Sequence, residues 1–308
     1  MKKVFLATST FGKFSKKPIE LLEERKISYL CNTSGKKLSN NDLVEKLKEC
    51  DGVIAGTELY SSKVLERLPK LKVISRLGIG LDNVDLEFAK KKEIKIFKTQ
   101  TSLNESVSEL TLGLMINAAK KINQHSSNLK SGIWKKEMGI LLSNKTLGII
   151  GLGGIGKSLV KLCQGFNFNI LAHDINKDND FAKKYKIKYE SFQNLLKKSD
   201  VLSFHTNLNR SAINLMGKTQ FDLLKKNVII LNTSRGEVFK EKDLLDFLKK
   251  NKNASAGIDV FSEEPYKGNL LKLKNIITTP HIGSYSREIR NELEIESVLN
   301  LIKGLNND

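Results

Sequence analysis

With 308 residues the chain has room for roughly two domains of ~100–200 residues, and for a buried core that needs neither metal nor disulfide. Hydrophobic residues at 40% and charged residues at 28% argue against a disordered tail, and no apolar run approaches the ~20 residues of a membrane-spanning helix. The net charge of +18 raises the question of a polyanion partner, yet only seven of the 52 basic residues are Arg and aromatics are 7%, so a solvated lysine surface with no specific nucleic-acid partner is expected.

The opening Met1-Lys2-Lys3 and Val4-Phe5-Leu6-Ala7 are too short in their apolar part for an export signal. Cys31, Cys50 and Cys163 are odd in number and far apart, which excludes a disulfide scaffold or zinc ribbon; a cytoplasmic protein without metal or membrane partner is expected. Apolar runs at 4–7, 27–30, 52–55, 72–75 and 94–97 read as strands. Stretches of helical period separate them at 18–25, 40–50, 62–68 and 85–91. This alternation predicts a parallel sheet covered on both faces. A long helical pattern at 102–122 carries Leu110, Leu114 and Ala118 at four-residue spacing; it reads equally as an interdomain or dimer helix and as a core helix. The alternation then restarts, with strands expected at 147–150, 169–172, 187–189, 201–204, 228–231, 255–260 and 276–278, and a closing helix at 288–304.

The strongest local motif is Gly151-Leu152-Gly153-Gly154-Ile155-Gly156, directly after an expected strand and before a helical stretch. Gly151 suits the tight turn, Gly153 a close approach to a pyrophosphate, and Gly156 helix–strand packing, while the helix N-terminus offers N–H donors. The next strand leads into His173-Asp174, eighteen residues past Gly156. A carboxylate there accepts from a ribose 2′-OH and repels a 2′-phosphate, so dinucleotide binding with NAD rather than NADP is expected. Ligands of such sheets bind beyond the carboxyl ends of the strands. In the later sheet those ends are followed by Arg235, Glu264 and His281: a guanidinium for a carboxylate, an imidazole for a proton, and a carboxylate to orient the imidazole. With a nicotinamide, that set suits hydride transfer at C2 of a 2-hydroxy acid. His205, at another strand end, reads as a cofactor-side or structural residue, and His125 and His173 as non-catalytic.

Taken in order, Arg76-Leu77-Gly78-Ile79-Gly80-Leu81-Asp82-Asn83-Val84-Asp85, Asn104-Glu105-Ser106-Val107-Ser108-Glu109-Leu110, Gly132-Ile133-Trp134, the glycine loop, Asn232-Thr233-Ser234-Arg235-Gly236, Gly257-Ile258-Asp259-Val260-Phe261 with Glu264-Pro265, and the segment from Thr279 to Ser284 resemble the D-isomer-specific 2-hydroxy-acid dehydrogenases, most of all their 3-phosphoglycerate dehydrogenase branch. The resemblance covers nearly the whole chain. It implies an α/β fold of two doubly wound parallel-sheet domains, with a Rossmann-type NAD domain (100–283) inserted into a flavodoxin-like substrate domain (1–99 and 284–308). It also implies that Arg235, Glu264 and His281 are catalytic. Gly151, Gly153, Gly154, Ile155, Gly156, Asp174, His205, Thr233 and Asp259 would bind the cofactor, and Gly78, Ile79, Gly80 and Asn104 the substrate. A homodimer formed through the helix after residue 100 is implied as well.

The expected substrate is a small anionic 2-hydroxy or 2-oxo acid. The pair 3-phosphoglycerate and 3-phosphohydroxypyruvate leads, with glycerate and hydroxypyruvate, or a non-enzymatic NAD-sensing co-repressor role, as alternatives. Two features depart from the branch. Gly56-Thr57-Glu58-Leu59-Tyr60 lacks the Arg that some members place there for a substrate phosphate, leaving Lys13 and Arg76 as substitutes, and no regulatory domain is expected after Asp308.

Overall fold

Short runs of Val, Ile and Leu become strands in both halves of the chain. The computed structural model describes residues 2–306, and the chain divides into two compact units, Met1–Ser102 with Tyr285–Asp308, and Leu103–Ser284.

In the first unit β1 (Lys3–Leu6), β2 (Ser28–Cys31), β3 (Gly52–Ala55), β4 (Val73–Arg76) and β5 (Lys95–Lys98) form one parallel sheet in the order β2-β1-β3-β4-β5. Two of the helices between them open on polar caps: Ser39 Oγ accepts from the Asp42 N–H and Asp85 from the Phe88 N–H, satisfying donors the first helical turn leaves unpaired. The helix Arg287–Asn306 closes this unit, burying Leu293, Val298, Leu301 and Leu305 while the Ser297 carbonyl accepts from Ser75 Oγ at 2.7 Å. Near its start a buried Arg290–Glu294 pair at 2.8 Å also takes the Gly12 N–H on Glu294 (2.9 Å), which ties the loop after β1 to this helix.

In the second unit β6 (Thr146–Ile150), β7 (Asn169–His173), β8 (Lys188–Tyr189), β9 (Val201–Phe204), β10 (Ile229–Asn232), β11 (Ser255–Ile258) and β12 (Ile276–Thr278) form a parallel sheet in the order β12-β11-β10-β9-β6-β7-β8. Alternate residues face opposite ways: Ile149, Ile229 and Leu231 enter one apolar cluster, Ile150 and Ile230 the other. With both faces covered, the strands read as unbroken apolar runs. The expected strands coincide with these to within one or two residues, β11 ending two residues sooner than the 255–260 run suggests.

The long helical pattern resolves as a core helix, Asn104–Lys120. Val107, Leu114, Met115, Ala118 and Ala119 are buried, and the last four join the cluster under β6 and β10. It stops at Lys121, whose φ of +53° lies in the left-handed region, and a second helix, Ile122–Lys130, buries no residue. Beyond that break Ile122, Leu129, Ile133, Trp134, Met138 and Leu141 are all exposed, Trp134 at 82%.

Candidate active site

Pairing across the second sheet aligns Thr278 with Ile258, Ile258 with Asn232, Asn232 with Phe204, Phe204 with Ile150, and Ile150 with His173. Six strands therefore end on one lateral row. The next residues along the chain are Thr279, Asp259, Thr233, His205, Gly151 and Asp174, five of which the sequence nominates for the cofactor. This register brings onto one row residues as far apart in the chain as 151 and 279.

Gly151 has a φ of +91°, and a Cβ on it would stand 2.5 Å from the His205 carbonyl oxygen, so the turn accepts no side chain. Its N–H donates to the His173 carbonyl (2.9 Å). A Cβ on Gly156 would stand 2.5 Å from the Gly151 carbonyl oxygen, which explains the glycine at the start of the helix Gly154–Leu162. The N–H groups of Gly153, Gly154, Ile155 and Gly156 have no acceptor among the described residues, and nothing stands within 4 Å of the position of a Gly153 Cβ. Asp174 fixes the loop from β7, its two carboxylate oxygens accepting the Leu152 N–H (2.6 Å) and the Asn176 N–H (2.8 Å). Asn104 lies over the same loop, with Oδ1 2.5 Å from where a Gly154 Cβ would be.

His205 shares its Nε2 with Ser203 Oγ (2.7 Å), while its buried Nδ1 has no partner among the described residues. Burial pushes the imidazole down to about 4, so it is neutral at neutral pH. Thr233 is buried and its hydroxyl pairs with Thr111 Oγ1 at 2.9 Å. Since Thr111 donates to the Val107 carbonyl, Thr233 is the donor in that pair, and its hydroxyl can meet a ligand only as an acceptor.

Asp259, 1% exposed, has a task that motif reading missed. Its Oδ1 accepts from Thr279 Oγ1 (2.6 Å) and the Ile282 N–H (2.8 Å), its Oδ2 from the Gly283 N–H (3.0 Å), and its carbonyl from the His281 N–H (2.9 Å). Burial holds the carboxyl above its ordinary range against these hydrogen bonds. The clamp spans the loop in which His281 adopts a φ of +55°, a conformation costing of order 1–3 kcal/mol that the surrounding bonds must hold. The ring of His281 then meets Glu264: Nδ1 lies 3.1 and 3.0 Å from the two carboxylate oxygens, and the Phe261 N–H donates to Oε1 at 3.2 Å. Arg235 stands half-buried after β10, with Nη1 donating to the Ser234 carbonyl (2.8 Å) and its own carbonyl accepting from Asn232 Nδ2 (2.8 Å). Asn232 also accepts from Ser234, so one buried amide shapes the whole turn.

The remaining nominated residues belong to the first unit, after β4. Gly78, at φ +141°, donates to Thr99 Oγ1 (3.1 Å), whereas the N–H groups of Ile79 and Gly80 have no acceptor among the described residues. Arg76 is held by Asn83 Oδ1 (3.3 Å) and the Leu77 carbonyl, and Lys13 is exposed.

Residues 112–283 match the family described as D-isomer specific 2-hydroxyacid dehydrogenase, NAD binding domain. A D-3-phosphoglycerate dehydrogenase of Methanocaldococcus jannaschii is 40% identical over 257 residues, which are 82% of this chain and 49% of that protein; the chain thus spans about half the length of that relative. A glyoxylate reductase of Thermococcus litoralis is 36% identical over 276 residues, 85% of this chain and 83% of that protein. The solved structure of a Thermus thermophilus protein superposes with a TM-score of 0.87 at 28% identity, covering 98% of this chain and 96% of that one. The cofactor is NAD, and the residues present fit it. The unpaired N–H groups of 153–156 and the open space over Gly153 suit a pyrophosphate, and Asp174 stands at the end of the neighbouring strand. On its sequence and its fold, this chain belongs to the D-isomer specific 2-hydroxyacid dehydrogenase family.

Proposed function

We propose that this chain interconverts a D-2-hydroxy acid and its 2-oxo acid with NAD. The observation that carries the reading is the His281–Glu264 pair, in which Nδ1 rests between two carboxylate oxygens at 3.0 and 3.1 Å. That contact holds the proton on Nδ1 and leaves Nε2 to exchange a proton with the C2 oxygen. In the oxidative direction Nε2 takes the hydroxyl proton, and Glu264 stabilises the imidazolium; in reduction Nε2 returns it. Arg235 binds the substrate carboxylate as a fork and draws electron density from the C2 oxygen. In the first unit the free N–H groups of Ile79 and Gly80, with Gly78 shaping their turn, are suited to an anionic group of the substrate, and in the second Asn104 is a further substrate candidate beside the glycine loop.

The bound nicotinamide supplies the hydride acceptor or donor. Residues 151–156 seat the pyrophosphate, Asp174 accepts from the ribose hydroxyls, and His205, Thr233 and Asp259 border the rest of the cofactor. Asp259 Oδ2 retains one acceptor position for a carboxamide. The candidate acids run from 3-phosphoglycerate and 3-phosphohydroxypyruvate, the first expectation of the sequence, to glycerate with hydroxypyruvate and to glyoxylate. The exposed apolar side chains between Ile122 and Leu141, Trp134 among them, support a homodimer formed through this segment. Three free cysteines, and no helix among the described residues long and apolar enough to cross a membrane, support a cytoplasmic location.

The test is a screen for NADH formation from NAD with 3-phosphoglycerate, glycerate and lactate, run beside NADH consumption with the matching oxo acids. Turnover of at least one pair is expected. NAD binding without turnover on any acid would remove the oxidoreductase reading in favour of an NAD sensor.

A further inference from the structure

The Glu264 carboxylate sits on a segment that no regular element holds. Between β11 and the short helix Asn269–Lys272 the chain forms neither helix nor strand, and Ser262, Glu263 and Pro265 around the carboxylate are exposed. The pair with His281 nonetheless requires this carboxylate to stay within hydrogen-bond distance of Nδ1, so side-chain contacts must fix the turn.

The ring of Tyr266 closes it. Across the turn it stacks on the ring of Phe261, with centroids 4.2 Å apart and planes 14° from parallel. Phe261 is also the residue whose N–H donates to Glu264 Oε1, so the stack and the carboxylate's own bond share one residue. The phenol is engaged on both sides. It donates to Glu241 Oε1 at the start of the helix Glu241–Lys250, and it accepts the Leu270 N–H at 3.3 Å. Burial first, and the Glu241 carboxylate with it, push the phenol up to about 12, so it remains a donor at any working pH. Both rings pack against the apolar cluster that contains Phe239, Leu244 and Leu270. Two glycines permit the fit. A Cβ on Gly268 would stand 2.2 Å from the Tyr266 hydroxyl oxygen, and one on Gly236 would stand 2.0 Å from the Phe261 carbonyl carbon. Through Gly236 the turn that carries Glu264 packs directly on the turn that carries Arg235.

We propose that Tyr266, tied to Glu241, is a positioning residue of the reaction: it holds the turn 261–266 so that Glu264 meets His281 in the orientation that proton transfer needs. With the tie cut, the rings still stack but the turn loses its fastening to the helix, and Glu264 leaves Nδ1 for part of the time. This inference rests on the oxidoreductase reading and adds to it a residue that acts through Glu264.

The experiment measures kcat and KM for the best substrate among 3-phosphoglycerate, glycerate, lactate and their oxo acids, beside NAD affinity and thermal unfolding. Tyr266→Phe keeps the stack and should lower kcat by ~10-fold, while KM and NAD affinity stay within about 2-fold. Glu241→Ala cuts the same tie from the helix side and should reproduce that loss. Glu241→Gln still accepts from the phenol and should recover most of it, and the two Glu241 variants carry the test if Tyr266→Phe does not fold. A double-variant cycle separates positioning from packing. On a Glu264→Gln background Tyr266→Phe should cost no further activity, whereas a packing role would subtract the same factor again. An unchanged kcat in Tyr266→Phe and Glu241→Ala, a loss carried by KM, or additive losses in the cycle would overturn the positioning role alone. A wild type that binds NAD and turns over none of these acids would overturn the oxidoreductase reading and the positioning role with it.

Discussion

At the carboxyl edge of the seven-stranded sheet the carboxylates of Asp259, Asp174 and Glu264 are each matched to donors, with His205 Nδ1 and Thr206 Oγ1 left over, while at the same edge of the five-stranded sheet the buried hydroxyls of Thr8 and Tyr60 have no partner among the described residues. Asp259 accepts from a hydroxyl and two N–H groups, Asp174 from two N–H groups, and Glu264 from the His281 ring, so each is oriented before any ligand arrives. Glu58, 3% exposed at the other edge, accepts the Gly56 N–H at 3.1 Å. The contrast favours the seven-stranded edge as the place of chemistry. Chemistry benefits from groups fixed in advance, because their reorganisation is not then part of the barrier.

The contrast is tested most strongly at His281. His281→Ala should lower turnover by ~10²–10⁴ while NAD affinity, measured by fluorescence titration, stays near that of the wild type; wild-type turnover in this variant would show that the matched edge is architecture and not chemistry. Arg235→Lys keeps the charge and loses the fork, and should raise the Michaelis constant by ~10–10². An unaltered constant would take Arg235 out of the site.

Two further variants act on the frame of that edge. Gly151→Ala places a Cβ against the His205 carbonyl at a positive φ and should lower stability by about 1–3 kcal/mol in thermal or urea unfolding, with weaker NAD binding. His205 offers the smallest effect, and its sign is set by linkage. The folded imidazole titrates at about 4 against about 6.5 in the unfolded chain, so between those values the unfolded state binds more protons. The stability present above about pH 6.5 is therefore lost as the pH falls towards 4, on the order of 1–2 kcal/mol by pH 5. His205→Asn should flatten that slope, so its melting temperature should fall less between pH 7 and pH 5 than that of the wild type. Equal slopes would mean the ring is not buried in its neutral form.

Much of this was legible before any fold was in view. Strands such as β3 and β6 stand out because both sheet faces are covered, which makes their residues uniformly apolar, and the glycine loop stands out because each glycine answers a separate steric demand. The row of strand ends could not be read, since register is a tertiary property and nothing near Asn232 records that it pairs with both Ile258 and Phe204. Nor could the break at Lys121 be seen: Lys120-Lys121-Ile122 holds no Gly or Pro, and the residue that turns left-handed there is a lysine. Asp259 as a loop clamp was hidden because its partners lie 20–24 residues onward. Glu58 was overlooked for a different reason. An acid in a loop is usually solvated, and its burial emerges only when β1 and β3 are neighbours. Thr8 and Glu58 lie just beyond β1 and β3, as Thr233 and Asp259 lie just beyond β10 and β11.

The exposed apolar segment beyond Lys121 has a practical consequence. Trp134 is the chain's single tryptophan, so all indole emission from the protein arises at one exposed place in that segment. A protomer on its own should fluoresce as a water-bathed indole, open to iodide quenching. Pairing through this surface would shift the band to the blue and shield it, and dilution would reverse both, so the protein carries its own optical gauge of self-association.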